Sequence, residues 1–384
     1  MRERPEVVLV AHAVHDHGGM ERAMAELIRR QADSFRFVVV AARLAPELRP
    51  LVWRWVRIPA PRRPAPLGFA VFYLLAGLRL VGMHPDLVHT LGAIVPNRCD
   101  LTSVHCCHAG LLEARRSWAP QGAPLLRRLH TGRVGLGSLA AERWSYRPGR
   151  VRQLAAVSEG LARELERHYP GATVAVTPNG VDSDRYHPSS AARAELRAEN
   201  AVADNDVVVL FVGGDWHHKG LSLATEATAV AGEGTGIRLH LWVVGTGVAA
   251  HVPVSSGGSR PTFFGPRPDA ERYFAAADIF VLPSCYETFS LVAHEAAACG
   301  LPIVATRVSG VEDLIGTHED AGILVERTAH SVSDALSRLI ERPEIRAEMA
   351  RRGRERAATF TWERSTGSVR ALYDALLGAD RQGA

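Results

Sequence analysis

Short runs of valine, isoleucine, leucine and phenylalanine recur along the chain, separated by stretches with helical periodicity. Strands are expected at Val7–Ala11, Phe37–Ala41, Leu87–His89, Leu101–His105, Gln153–Ala156 and Val174–Thr177. A second set covers Val207–Val212, Arg238–Val244, Thr262–Phe264, Ile279–Leu282, Pro302–Ala305 and Gly322–Val325. Most of these runs are continuously apolar rather than alternating, which suits parallel strands buried on both faces. Helices are expected at Met20–Arg30, Glu159–His168, Ala191–Asn200, Leu221–Ala231, Leu291–Cys299, Ser331–Glu341, Glu344–Ala358 and Thr361–Gly378. Strand–helix alternation on this scale predicts an α/β fold of doubly wound parallel sheets. Ligands bind such sheets beyond the carboxyl ends of the strands, so residues just after strands are the candidates for chemistry.

A chain of 384 residues exceeds what one core usually serves. The segment TPNGVDSDRYHP, Thr177–Pro188, concentrates turn residues near the midpoint and reads as a hinge. Two domains are therefore expected, 1–177 and 178–360, facing a cleft. The final helix, 361–384, is read with the first domain. Pro253–Pro261 reads as a surface loop, and no internal repeat is evident. The composition, 47% hydrophobic and 22% charged, is globular and excludes disorder and a small disulfide scaffold.

The net charge of +4 hides an asymmetry, since residues 1–180 sum to +11 and residues 181–384 to −7. The basic half calls for an anionic partner, with membrane phosphate, nucleic acid and an acidic acceptor all open. Arg115, Arg116, Arg127, Arg128 and Arg133 are candidates for that contact. The apolar run Ala65–Leu78, flanked by Arg54, Arg57, Arg62, Arg63 and Arg79, is short for a membrane span of roughly 20 residues. It reads as a helix packed on a sheet or as an interfacial docking helix. The N-terminal apolar run is too short for a signal peptide and reads as a buried strand. The five cysteines, Cys99, Cys106, Cys107, Cys285 and Cys299, match no metal or disulfide spacing. They are read as free thiols of a reducing compartment, and a cytoplasmic location is expected.

Three constellations follow strands. His15-Asp16-His17-Gly18-Gly19-Met20-Glu21 opens a helix with paired glycines, which let backbone N–H groups approach an anion. FVGGDWHHKG, Phe211–Gly220, holds Lys219, the single lysine beside 44 arginines and a point cation placed to meet phosphate. PSCYETFSLVAHEAAACGLP, Pro283–Pro302, places Glu287 and Glu295 eight residues apart around a helix start, Thr288–Val292. Carboxylates flanking such an anion site suit hydrogen bonds to sugar hydroxyls.

The pattern PSxYExFxLxxxEAxAxGxP resembles the donor-site signature of the retaining group 1 (family 4) glycosyltransferases, which have two Rossmann-like domains in the GT-B arrangement. The likeness extends over nearly the whole chain. GGMER, AVSEGLARELERHY, TPNGVDSDRYHP, FVGGDWHHKGL, PTFFGPRPDAERYFAAADIFVLPS and FTWERSTGSVRALYDALL resemble further family segments, in the family's order. The last implies a C-terminal helix that crosses back to the N-terminal domain.

The resemblance implies roles by position. Lys219 would neutralise the donor diphosphate, Glu295 would bind ribose, and Glu287 would hold the transferred sugar near the Thr288, Phe289, Ser290 and Leu291 backbone. Gly18 and Gly19 would close on the phosphates. Phe264 and Gly265 lie where base-binding backbone runs. His105 would face the sugar as a catalytic residue with Glu287 and Lys219. Asp16 and His108 are candidate acceptor contacts. Gly214 falls where the family usually carries a phosphate arginine, and His217, His218 or Arg267 are candidates to replace it. No D-x-D motif is well placed, since Asp182 and Asp184 lie in the hinge, so neither metal nor other cofactor is expected.

The implied reaction moves a sugar from a UDP- or GDP-linked donor to a glycan, lipid or small-molecule hydroxyl with retention, by front-face displacement without a protein nucleophile. The basic half would then serve the acceptor or peripheral attachment to the inner face of the cell membrane. Competing readings are a sugar-nucleotide epimerase, a phosphorylase, or a non-catalytic anionic-surface or RNA-binding protein with a degenerate donor site. A phosphorylase would need Lys219 for pyridoxal phosphate, and RNA binding would use Trp53, Trp55, Trp118 and Trp144 among the arginines.

Overall fold

The computed structural model describes residues 4–16, 18–61, 64–118, 136–233, 236–247 and 260–383. The chain divides into two compact units, Met1–Gly180 with Trp362–Ala384, and Val181–Thr361. The division falls within the Pro-Asn-Gly segment, whose turn residues favour neither helix nor strand.

The first unit holds β1 (Glu6–Val14), β2 (Arg36–Leu44), β3 (Arg54–Arg57), β4 (Leu87–Leu91), β5 (Cys99–Val104), β6 (Val151–Ala156) and β7 (Val174–Val176). They form one sheet in the order β3-β2-β1-β4-β5-β6-β7, parallel throughout. The second unit holds β8 (Val207–Val212), β9 (Leu239–Val244), β10 (Thr262–Gly265), β11 (Ile279–Leu282), β12 (Ile303–Thr306) and β13 (Gly322–Val325). Their order is β10-β9-β8-β11-β12-β13, again parallel. Both sheets reverse order beside their first strand, the topology of a doubly wound fold.

Continuous apolar runs at the sheet centres are buried on both faces, as Val207–Val212 shows at every position. The strand absent from the sequence pattern is β3. Its Arg54-Trp55-Val56-Arg57 places arginines at both ends of an edge strand, where only one neighbour has to be paired. Ser158, Ser189 and Thr328 cap their helices by accepting from Leu161, Ala192 and Ser331 backbone N–H groups.

The last helix, Trp362–Gly383, belongs to the first unit. It is fastened there by a buried polar chain. His89 Nδ1 lies 2.6 Å from the Tyr373 hydroxyl, and His89 Nε2 lies 2.9 Å from Ser103 Oγ. Arg30 adds an ion pair to Glu363 at 2.9 Å, and Arg152 one to Asp380 at 2.8 Å.

The apolar run near residue 65 forms one helix, Ala65–Leu80, that buries Phe72, Ala76 and Leu80 and exposes Leu67, Leu74 and Leu78. No helix among the described residues is long and apolar enough to cross a membrane. The five cysteines are free. Arg62, Arg63, His17, most of the Pro253–Pro261 loop, Arg127, Arg128 and Arg133 lie outside the described residues, as do the side chains of Arg115, Arg116 and Trp118.

Candidate functional site

In the second unit, two loops at the carboxyl ends of β8 and β11 are bound to each other. After β8 come Gly213, Gly214 and Asp215, then a single helical turn, Trp216–Lys219. Lys219 Nζ donates to Glu287 Oε1 at 2.7 Å, and Ser284 Oγ donates to the same oxygen at 2.8 Å. Both charged side chains are largely buried. The Cys285 backbone N–H donates to the His218 carbonyl at 3.1 Å, while His218 Nε2 lies 2.7 Å from the Tyr286 carbonyl. His218 Nδ1 meets Cys285 Sγ at 3.3 Å, and burial pushes that thiol up to about 12, which leaves it protonated.

Glycines permit this approach. Gly220 has φ +79°, and a Cβ there would lie 2.3 Å from the Pro283 carbonyl oxygen. The Lys219 stem crosses Gly213, where a Cβ would stand 2.5 Å from Lys219 Cδ. At Gly214 a Cβ would meet Thr246 Oγ1 at 3.0 Å, so an arginine in that place would need Thr246 to yield. The candidates to replace it have partners of their own. His218 is held as above, and the Arg267 guanidinium lies 5.4 Å from the Tyr273 ring centroid.

Ser290, with φ +62°, starts the helix Leu291–Ala298. Phe289 is buried, stacked on His294 at 3.9 Å, so its side chain is core and only its backbone can face a ligand. Glu295 is almost fully buried on that helix, close enough to act on Arg185 by charge. Phe264 packs on Trp242 and Tyr273, and Gly265, at φ +70°, accepts from the Gly245 N–H at 2.8 Å.

In the first unit, Gly18 has φ +85° and precedes the helix Gly19–Gln31. Asp16 is gripped by Arg29 through two bonds, 2.6 and 2.7 Å, so its carboxylate is already engaged. His105 follows β5, and its Nε2 lies 3.3 Å from Asn179 Oδ1. Burial lowers its pKa to about 4, so the imidazole is neutral near pH 7. His105 lines a cavity of about 210 Å³ with His12, Met20, Phe69, His108 and Glu142.

His108 is backed by Glu142, which is 2% exposed. Glu142 takes the His108 backbone N–H at 3.0 Å, its Nδ1 at 2.5 Å and the Tyr169 hydroxyl at 2.7 Å. In the neutral ring, a carboxylate on Nδ1 places the proton there and turns the Nε2 lone pair outward as an acceptor.

Sequence reasoning singled out neither Glu142 nor Asn179 in these roles, nor Arg327. Arg327 follows β13 and donates to the Pro283 carbonyl at 3.2 Å and the His217 carbonyl at 3.5 Å, bracing the loops after β8 and β11. One further group in the first unit, Cys107, Glu164 and His168, brings its ligand atoms within 4.8 Å of one another. The described tryptophans of the basic half carry arginines of their own. Arg36 lies over Trp53, Arg49 over Trp55, and Arg147 and Arg150 over Trp144, which engages those rings within the chain.

Residues 17–185 match the model of glycosyltransferase family 4, and residues 206–342 match that of glycosyl transferases group 1. Together with two Rossmann-like sheets and carboxyl-end loops rich in glycine, this defines a glycosyltransferase of the GT-B class. The chain belongs to the group 1, family 4 glycosyltransferases.

A D-inositol 3-phosphate glycosyltransferase of Saccharomonospora viridis is 33% identical over 322 residues, covering 74% of this chain and 72% of that enzyme. Among solved structures, WaaG, a glycosyltransferase involved in lipopolysaccharide biosynthesis, superposes with a TM-score of 0.76 at 20% identity, over 95% of this chain and 99% of that one. HepE of Anabaena in complex with UDP-glucose gives 0.68 at 18%, over 97% and 100%. At these identities the likeness to the two structures is one of fold.

Proposed function

We propose that the chain is a retaining, metal-independent glycosyltransferase that takes its sugar from a nucleotide diphosphate. The carrying observation is the Lys219–Glu287 pair at 2.7 Å, held at adjoining strand ends. One N–H of Lys219 binds Glu287, leaving two to donate to diphosphate oxygens. The N-terminus of Leu291–Ala298 adds free backbone N–H groups and the positive end of a helix dipole. In this reading Lys219 and that helix end stabilise the departing diphosphate. Glu287 holds the transferred sugar's hydroxyls, Glu295 the ribose, and the Gly265 backbone the base. The backbones of Gly18 and Gly19 contribute donors to the phosphates.

The displacement proceeds on one face of the sugar. The bond from the anomeric carbon to the diphosphate oxygen breaks as the acceptor oxygen attacks, and the departing oxygen takes the acceptor's proton. Neutral His105 orients the sugar as a hydrogen-bonding group without adding positive charge. His108 presents Nε2 to the acceptor hydroxyl.

HepE holds UDP-glucose and the curated relative is named for an inositol phosphate, so UDP and a phosphorylated cyclitol are the first donor base and acceptor to try. An excess of arginine in the first unit suits a phosphorylated or otherwise anionic acceptor. A cytoplasmic enzyme attached at an anionic membrane face accommodates the same charge.

The test is calorimetric titration with UDP, GDP and ADP in EDTA, followed by anomeric NMR of the product. Saturable binding of one nucleotide is expected. Lys219→Ala should weaken it roughly 10- to 150-fold, the worth of a charge-assisted contact of about 1.5–3 kcal/mol. Glu287→Gln should keep nucleotide binding and lose transfer. Binding that requires a divalent cation, or a product of inverted configuration, would overturn the reading.

A further inference from the structure

Ten large apolar side chains are exposed among the described residues, and six of them gather on one face of the first unit. Leu67, Leu74, Leu78 and Val81, each more than half exposed, run down the outer side of the helix Ala65–Leu80 and its next residue. Spacings of seven, four and three place them in one stripe. Leu136 and Trp144 stand on the helix at 136–145. The two helices are neighbours. Tyr73 is hydrogen-bonded to Ser145, and Pro96 touches both, lying against Gly77 and accepting from Trp144 Nε1 at 3.2 Å. Between them runs a groove of about 430 Å³, with Phe69, Ala70 and Leu74 on one wall and Gly137 and Ala140 on the other.

The charge on this face has one sign. The helix Ala65–Leu80 has no acidic residue and carries Arg79 near its end. Arg143 and Arg147 are exposed beside Trp144, and Arg147 and Arg150 pack on its ring at 5.5 and 4.2 Å. The one carboxylate on the second helix, Glu142, is buried beneath His108.

A helix of 16 residues is about 24 Å long, too short to span a bilayer and long enough to lie in its surface. An apolar stripe with a tryptophan and flanking arginines fits the boundary between acyl chains and anionic headgroups. We infer that this two-helix face docks on an anionic lipid bilayer, with Leu67, Leu74, Leu78 and Leu136 entering the acyl region and Arg79, Arg143 and Arg147 meeting headgroup phosphates. The inference deepens the membrane-attachment reading given above: the binding energy comes from apolar insertion as well as charge. It is independent of sugar transfer. Phe69 lines both this groove and the His105 cavity, so docking would set that cavity at the bilayer edge.

The test is flotation of the full chain with vesicles of phosphatidylcholine alone or with 30% phosphatidylglycerol. The wild-type chain should float with the anionic vesicles only, and raised salt should weaken the binding. Leu74→Glu with Leu78→Glu, both at exposed positions, should reduce binding at least 10-fold with an unchanged Tm. Replacing Arg79, Arg143 and Arg147 by alanine should reduce it as well.

Vesicle binding unchanged by the leucine substitutions would overturn insertion. Absence of binding by a folded wild-type chain would overturn docking altogether. A dimer in sedimentation equilibrium that the same substitutions dissociate would assign the face to a second copy of this chain, against the inference. Nucleotide titration of each variant separates these outcomes from the donor reading, since none of the substituted residues lies in the second unit.

Discussion

The two units share a topology and differ in how they gather chemistry. In the second, reactive groups come from two loops pressed together by glycines, and a cation and a carboxylate already meet there. In the first, the His105 cavity is lined by imidazoles and a buried carboxylate contributed by distant parts of the chain. The first arrangement suits fixed anionic charge, which needs a cation and free N–H groups whatever else the ligand carries. The second suits hydroxyl groups, to which the neutral His12 and His105 rings can donate or accept, and leaves the recognition of charge to the arginines of the same unit. The proposed function draws on this division, with the diphosphate assigned to the second unit and the acceptor to the first.

The harshest way to break the comparison is Gly220→Val. A β-branched side chain at φ +79°, with its Cβ 2.3 Å from a carbonyl oxygen, should destabilise the second unit by roughly 3 kcal/mol or more. Thermal unfolding followed by calorimetry should show that transition falling while the first unit's stays in place. A single transition that moves as a whole would mean the units do not unfold independently.

Acid tests a weakness that the units have in common. Burial holds His89 at about 3 in the first unit and His294 at about 4 in the second, against about 6.5 unfolded. As pH falls, the unfolded chain takes up these protons first. Their contribution is therefore full above 6.5 and is lost as pH falls below it, down to about 4 for His294 and about 3 for His89. At pH 5 each histidine removes about 2 kcal/mol from its unit. Chemical denaturation at pH 7 and pH 5 checks this, and His294→Leu should flatten the decline in the second unit alone.

Tyr373→Phe sharpens the contrast from the other side. It leaves His89 Nδ1 buried without its 2.6 Å partner and should remove about 1–3 kcal/mol from the first unit. Urea midpoints would show the effect confined there. The smallest effect is expected for Asp16→Asn. Its pair with Arg29 is partly exposed, so the stability change should stay under about 1 kcal/mol. A raised acceptor KM in this variant would restore Asp16 as an acceptor contact despite its engagement with Arg29.

The legibility of the chain follows the same division. Central strands such as Val207–Val212 and Phe37–Ala41 announce themselves because burial on both faces makes every position apolar. Lys219, Glu287 and Glu295 lie in compact segments whose spacing is set by one loop and one helical turn. Glu142 offers no such signal. It is one acid in a helix, and only the fold brings it under His108 and Tyr169. Asn179 looks like a turn residue until the sheet carries it to His105. Arg327 is one arginine among 44, with its meaning fixed by two carbonyls. The edge strand β3 is hidden because its arginines face water.

Lys219 carries the only side-chain amine in the sequence. A reagent that acylates amines therefore reports on one side chain, and peptide mapping separates its label from that on the N-terminal α-amine. Labelling should quicken when Glu287→Gln frees the amine, and slow when an anion occupies the loop. A protease restricted to lysine would cut the chain once, between Lys219 and Gly220, and its rate would measure how often the loop beside β8 opens.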